Sequence, residues 1–451
     1  MIKKHLSSEK GQSTVLLALA FIVLLGFTAL AVDGGLVYAN RRHMQNAADA
    51  ASLSGGSAAA LYLENHDITY GSWDCNDPDV IDAMHSNPEG AKAVARSSGV
   101  ANDYLLDDDD SDMHGVFAGC VQAYDNGAWI EKFIDVRVRI TSDTPTAFAH
   151  LLYNGPLRNT VEAVTRVEPP TSVAMGNAIV ALGPDCLSDG IEFDGTQDTI
   201  VTGGGIYSNS CLDTRGSGAV IIDDPENVGY DISCALPNCY TDHGGSGVVS
   251  PPPEEGLGRK IPPDTYDIPP PDCNNGWPNH GNYDNDGHLE RGVYNEIRIQ
   301  NGDHTMDSGL YCVNNGVTIN GGSLIGTDVT FYLTGGDFDS SGNATIRLFG
   351  PPSETCGSPC TPNRAIPGVL IYLAAGQTGE VSLLGNEDSD YRGLVFAPDG
   401  TIEAGGTSST MATTHAQMIG KRVFVHGNTT IDITFDESKN FILPASLQLQ
   451  K

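Results

Sequence analysis

An unbroken apolar run near the N-terminus constrains this chain more than any other feature. Residues 13–32 read STVLLALAFIVLLGFTALAV and contain no charged side chain. About twenty apolar residues are what a helix needs to cross the hydrocarbon core of a bilayer. A helix buried in a soluble core would normally show a polar stripe, and this run shows none. Lys3, Lys4 and Lys10 precede it, and Arg41 and Arg42 follow. That Lys/Arg bias places the N-terminus in the cytoplasm. The run therefore predicts a single-pass anchor in the cell membrane, with the bulk of the chain extracytoplasmic or at the cell surface. Two other readings share the segment. Ala29-Leu30-Ala31 resembles the A-x-A cleavage site of a secretory signal, with cleavage after Ala31. Gly11-Gln12 resembles a prepilin cleavage site, although Leu16 stands where a processed pilin usually carries Glu. All three readings export the rest of the chain.

Export gives the cysteines a meaning. All ten lie beyond the anchor. In an oxidising compartment an even number of Cys reads as disulfides. Zinc is the alternative, but no C-x-x-C pair occurs and no Cys sits near paired His. The sequence-near pairs Cys234–Cys239 and Cys356–Cys360 are the natural guesses. The net charge of -33 repels phosphate and excludes nucleic acid as a partner. Such an acidic surface keeps an exported protein soluble or gathers cations.

Texture divides the chain into three parts. Residues 1–63 are the anchor and a continuing helix, whose Ala-rich stretch RRHMQNAADAASLSG has apolar residues at helical spacing. Polar residues at Glu64–His66 end it. Residues 64–170 read as a small α+β domain. Phe133–Ile140 and Thr160–Val167 alternate apolar with polar, as half-buried strands do. Gly90–Arg96 and Thr146–Leu152 read as short helices, and Pro169-Pro170 closes the domain. Residues 171–451 are mainly β. Short runs such as Val329–Leu333 and Val369–Leu373 alternate with Gly, Asn and Asp. Asn301-Gly302, Asn315-Gly316 and Asn320-Gly321 supply turns that tolerate positive φ. Irregular repetition of this kind predicts a right-handed parallel β-helix, in which each turn buries a strand face on its neighbours. A β-sandwich is the alternative, since it also has many short strands. A Pro-rich stretch at about 241–288 reads as a loop insert tied down by Cys273.

The segment from Gly11 to Gly56 carries a recognisable combination. Gly11-Gln12 precede the apolar span, and Ala31-Val32-Asp33-Gly34-Gly35 end it. Tyr38, Arg41-Arg42 and Gln45-Asn46-Ala47-Ala48-Asp49-Ala50-Ala51 follow. In these residues the chain resembles TadE/TadG-like proteins of the tight-adherence, or Flp-type, pilus assembly systems. The strand–helix–strand pattern from Phe133 to Val167 is similar to the usual continuation of that family. Residues from about 290 to 440 resemble, in texture, a solenoid-like tail carried by some TadG-like chains. The resemblance implies a membrane-anchored protein of pilus assembly or the cell surface, with pilus-assembly proteins or pilins as partners. It carries over no catalytic residues.

Motifs for chemistry are few. There is no H-E-x-x-H, G-x-S-x-G, P-loop or G-x-G-x-x-G. Two acidic clusters are candidate calcium sites, because Ca²⁺ takes several hard oxygen ligands. One is Asp107–Asp112, with Asp108, Asp110 and Asp112 as the candidate ligands. The other is Asn282–Glu290, where Asp284, Asp286 and Glu290 stand at EF-loop-like positions. Val293 occupies the place of the bidentate Glu, so this would be a looser loop than an EF-hand. A solvated acidic loop is the alternative at both places. Parallel β-helices often bind or cleave polysaccharide, so an extracellular glycan is a candidate partner. Cleavage would need carboxylates converging on one face. The aromatics of the tail (Tyr294, Tyr311, Phe331, Tyr332, Tyr372, Phe396 and Phe424) read as core rather than as sugar platforms. The expected function is therefore a non-enzymatic, membrane-anchored surface protein of a Tad/Flp-type assembly or adhesion system. A tethered carbohydrate-active enzyme or a glycan-binding adhesin is the alternative.

Overall fold

The structure is a computed structural model. It describes residues 12–108, 114–125, 129–148, 155–173, 176–186, 188–223, 231–245, 247–258, 260–261, 268–273, 276–284, 287–341, 343–352, 365–406, 412–428, 430–436 and 439–450. The chain divides into two compact units. One comprises Met1–Asp125, Trp129–Pro170 and Pro444–Lys451, and the other is built on Thr171–Leu443.

The first unit is organised by one long helix, α1, over Gln12–Asn65. Its most apolar stretch has a mean hydropathy of 2.9 and no buried side chain. This is a helix long and apolar enough to cross a membrane. The second half of α1 is different. Met44, Ala47, Ala48, Ala51, Ser52, Ala59 and Leu63 are buried at helical spacing. They face α3 (Ala91–Ala101) and the strands β2 (Trp129–Thr144) and β3 (Leu157–Glu168). Two glycines let α1 approach closely. A Cβ on Gly55 would lie 2.8 Å from the Ala91 carbonyl oxygen, and one on Gly56 would lie 2.6 Å from Thr165 Cγ2. Helix α2 (Pro78–His85) is capped by the Asp77 carboxylate, which accepts from the Asp79 amide at 2.8 Å. Cys75, just before α2, is bonded to Cys120 in β1 (His114–Asp125).

The sheet of this unit is antiparallel, in the order β1–β2–β3 and then the C-terminal strand Ser446–Gln450. Ile134, Val136, Val138 and Ile140 of β2 are fully buried, in the alternation that the sequence shows. The last segment of the chain thus belongs to the first unit, pairing Leu447 with Val167 and Leu449 with Thr165.

In the second unit every pairing within the large sheet is parallel, among the described residues. An antiparallel β-sandwich is therefore not formed. Most strands pair with the strand three further along the chain. Gly309–Val313 pairs with Val329–Leu333, Val317–Ile319 with Phe338–Ser340, and Ser323–Thr327 with Thr345–Phe349. Three strands thus make one turn, and successive turns stack. Their inward side chains form one continuous core that includes Ile179, Ile297, Leu324, Phe331, Ile371, Val395 and Val423. The sheet is closed and barrel-like in cross-section around that core. Tyr294, Tyr311 and Phe331 stack through it on successive turns, with ring centroids 6.2 and 5.5 Å apart. The buried Tyr311 hydroxyl donates to the Asp307 carbonyl at 2.7 Å. At one corner the Asn282, Asn295 and Asn315 amides hydrogen-bond from turn to turn. Gly302 and Gly316 hold positive φ, as their Asn-Gly turns require. At the third such turn the positive φ falls on Gly322 rather than Gly321.

The order of turns is not the order of the chain. The turns from Asn177 to Glu255 run toward one end of the stack. The chain then crosses to the other end, re-enters at Asn279–Asp284 and winds back. Its last turns dock on its first. Met418 pairs with Ile179, Val423 with Ile191, and Ile433 with Val201. The Pro-rich stretch at about 241–288 is not one loop: Val249–Ser250, Glu254–Glu255 and Asn279–Asp284 pair as strands of the large sheet, and the crossing lies between Glu255 and Asn279. It lies along the outside of one face, where strands such as Val369–Leu373 are buried on both sides. Asn209 brackets Ile261, accepting from its amide at 2.7 Å and donating to its carbonyl at 2.6 Å. The Tyr372 hydroxyl donates to the Ile268 carbonyl at 2.9 Å, and Cys273 is bonded to Cys312. Cys186–Cys211 and Cys234–Cys239 complete the four disulfides of the described residues. Cys356 and Cys360 lie outside the described residues.

Candidate functional site

The residues just past the apolar span do specific work within the first unit. Asp33 is only 5% exposed. Its carboxylate accepts from the amides of Ala147 at 2.7 Å and Phe148 at 3.0 Å. Such charge-assisted bonds compensate a buried carboxylate. Two turns on, the Asn40 side-chain amide donates to Thr144 Oγ1 at 2.7 Å. Gln45 donates to Asp49 at 2.8 Å and to the Glu162 carbonyl at 3.3 Å, and Thr165 Oγ1 donates to Ser52 Oγ at 3.1 Å. One side of α1 from Asp33 to Ser52 is thus a polar and small-residue seam laid on the sheet and its loops. The other side carries Leu36, Tyr38, Arg41 and Arg42, all exposed. Gly34 and Gly35 have open space where a Cβ would stand, so packing within this chain does not require glycine there.

The acidic residues singled out in sequence fall as follows. Asp108 pairs with Arg96 at 2.7 Å, and its carbonyl accepts from Lys92 at 3.0 Å. Asp110, Asp112 and Asp286 lie outside the described residues. Asp284 ends the strand Asn279–Asp284, and its side chain is not among those described. The Glu290 carbonyl accepts from the Tyr294 hydroxyl. Among the described residues, no three His, Cys, Asp or Glu side chains converge as a metal site.

A second constellation escaped the sequence reading. On the face built from Glu380–Leu383 and its neighbours, Glu380, Glu403 and His426 stand side by side on successive turns. Ser382 Oγ donates to Glu403 at 2.7 Å and lies 3.2 Å from Glu380. His426 Nε2 is hydrogen-bonded to the other Glu403 oxygen. The hydrogen bond with Glu403, then burial, raise the Glu380 carboxyl above its ordinary range. Burial pushes Glu403 up, but hydrogen bonds from Glu380, Ser382 and His426 outweigh it and leave Glu403 below its ordinary range. A carboxyl placed beside another is harder to ionise, which is the direction seen at Glu380. On the next turns Arg422 pairs with Glu192 at 2.6 Å and Arg215 with Glu192 at 3.1 Å. On a different face of the turn, Asp390 is hydrogen-bonded by His415 and Arg392. The one sequence signal for the Glu380–Glu403–His426 row was an equal spacing of 23 residues; the strands here pair at a spacing of 21, so the row runs diagonally across them.

These features define a class: a long N-terminal apolar helix seated on its own α+β unit, followed by a parallel, mainly β stack. Residues 11–60 match the family model for putative Flp pilus-assembly TadE/G-like proteins. The N-terminal segment of the chain is thus a TadE/G-like domain, as its motif residues predicted. The matched residues include Asp33, Asn40, Gln45, Asp49 and Ser52, the side chains that seat α1. The stack lies outside the match. No curated protein and no solved structure matched the chain.

Proposed function

We propose that this chain is a membrane-anchored, non-enzymatic component of a Tad/Flp-type pilus assembly or adhesion system. The first half of α1 spans the cell membrane with its N-terminus in the cytoplasm, and the rest of both compact units is extracytoplasmic. The observation that carries this reading is the division of α1. Its apolar half buries nothing within the chain, while its second half, in the matched family segment, is seated on the unit that follows. Four disulfides support an oxidising location. The stack is a right-handed parallel β-helix, since parallel crossovers are right-handed in nearly all cases. It serves as a stalk or adhesive surface, and its partners are pilus-assembly proteins or pilins. Deleting the gene should reduce pilus display or surface adhesion. Unchanged display and adhesion would overturn the reading.

A second reading rests on the Glu380–Glu403–His426 row, which brings clustered carboxylates to one face. It makes the stack a tethered carbohydrate-active enzyme or a glycan-binding module. The full-length protein and its Glu403→Gln variant, tested on a broad glycan panel, separate the two readings. Activity or binding that the variant loses would favour the second.

A further inference from the structure

We propose that Ala147 and Phe148, in the connection after β2, form a second membrane contact, which docks into the headgroup interface beside the anchor. The inference rests on the membrane-spanning reading of residues 13–32. An α-helix rises about 1.5 Å per residue, so those residues span about 30 Å, the thickness of the hydrocarbon core. Asp33 is the next residue, and α1 runs through it without a break. Whatever touches the Asp33 carboxylate therefore lies at the edge of the hydrocarbon. Among the groups that touch it are the amides of Ala147 and Phe148, at 2.7 and 3.0 Å. They come from the connection after β2, more than a hundred residues away in sequence. The interfacial layer on each side is roughly 5–8 Å deep. A segment bonded at this level cannot stand clear of it.

The chemistry of the exposed groups fits that depth. Phe148 is 43% exposed although it sits next to a buried carboxylate. Leu36 and Tyr38 are 46% and 71% exposed. They lie about 6 and 9 Å along the helix axis beyond Val32. An aromatic and an aliphatic group at this height suit the boundary between acyl chains and headgroups. Arg41 and Arg42 are exposed further out, about 14 and 15 Å beyond Val32. The same features explain why Asp33 is buried by backbone amides. A carboxylate at this depth needs compensation that thin interfacial water supplies poorly. Asp33 therefore pins the Phe148 segment at the membrane surface, and the first unit is held against the bilayer rather than swinging from a flexible stem.

The test uses the full-length chain reconstituted in phosphatidylcholine–phosphatidylglycerol vesicles, with a benzophenone amino acid placed singly at position 148, 30 or 248. Leu30 is in the apolar span, and Val248, 63% exposed, is in the stack. Photolysis should give phospholipid adducts at 30 and 148 and none at 248, read by mass spectrometry. Asp33→Ala should lower the adduct at 148 while leaving that at 30. Adduct at 30 without adduct at 148, or a protein adduct at 148 in place of lipid, overturns the proposal. Absence of adduct at 30 overturns the membrane reading itself.

Discussion

The junction between the first and last turns of the stack can be tested at one side chain. Gln417 is fully buried, and its amide nitrogen donates to the carbonyls of Val173, at 2.5 Å, and Asn177, at 2.7 Å. It thus ties residues that are more than 230 positions apart in sequence. Its own Oε1 has no hydrogen-bond partner. Replacing Gln417 with Leu keeps the volume and removes both donors. Each buried acceptor deprived of its partner costs about 1–3 kcal/mol, and removing the unpaired Oε1 returns part of that. The expected net loss is about 2–3 kcal/mol. In a unit of this size that corresponds to a fall in Tm of roughly 4–5 °C. Calorimetry on the full chain in detergent reads it, and hydrogen exchange should show residues 177–181 losing protection ahead of 329–333. Exposed Ile325, changed to Thr, is the control and should move stability by no more than about 0.5 kcal/mol. If Gln417→Leu melts with the parent, the first and last turns are not joined as described.

Three further outcomes are expected. Gly56→Ala should destabilise the first unit by about 1–3 kcal/mol through overpacking against Thr165, whereas Gly34→Ala, with open space at its Cβ, should not; chemical denaturation of both variants checks this. Glu380→Gln should raise stability at neutral pH. A carboxyl whose folded pKa is raised costs stability as pH climbs from its ordinary value through the raised one, so the gap between variant and parent should close in acid, and a gap independent of pH in a melting series would refute the raised Glu380 carboxyl. If calcium is held through Asp284, Asp286 and Glu290 or through Asp108, Asp110 and Asp112, EDTA should lower Tm. At a hundredfold excess over Kd the ion would contribute about 2.7 kcal/mol, so an unchanged Tm argues for solvated acidic loops.

Much of this molecule was legible in sequence because its signals are local. The apolar run, the end of α1 after Leu63, and the alternation at Ile134–Ile140 and Val161–Val167 each reflect the burial of a few neighbouring residues. The short strands and Asn-Gly turns gave parallel turns around a core, with Tyr294, Tyr311 and Phe331 inside it. Cys234–Cys239, five apart, formed as spacing suggested, while Cys75–Cys120 and Cys273–Cys312 depend on packing that no spacing encodes. The Glu380–Glu403–His426 row stayed hidden because the turns lack a fixed length. Gly309 pairs with Val329, 20 residues on, but Val369 pairs with Leu394, 25 on, and Leu394 with Gln417, 23 on. Without a period, no register can be projected from one turn to the next.

The reversed order of turns has a consequence for how the chain completes itself. In an ordinary stack each turn finds its neighbour soon after it is made, and contacts stay local. Here the turn at Asn177–Thr202 finds one neighbour locally, at Gly205–Ile222, but its other edge waits for residues 412–434. Until then that edge offers unpaired backbone groups, a template for pairing with another chain. The crossing is tied to the earlier turns through Ile261 and Asn209, and to the later ones through Ile268 with Tyr372 and Cys273 with Cys312. The last strand, Ser446–Gln450, follows the closing turn directly and pairs with β3 of the first unit. Completion of the stack and completion of the antiparallel sheet are thus linked through one short stretch of chain. The unit that seats α1 takes its fourth strand from residues that follow the stack in sequence.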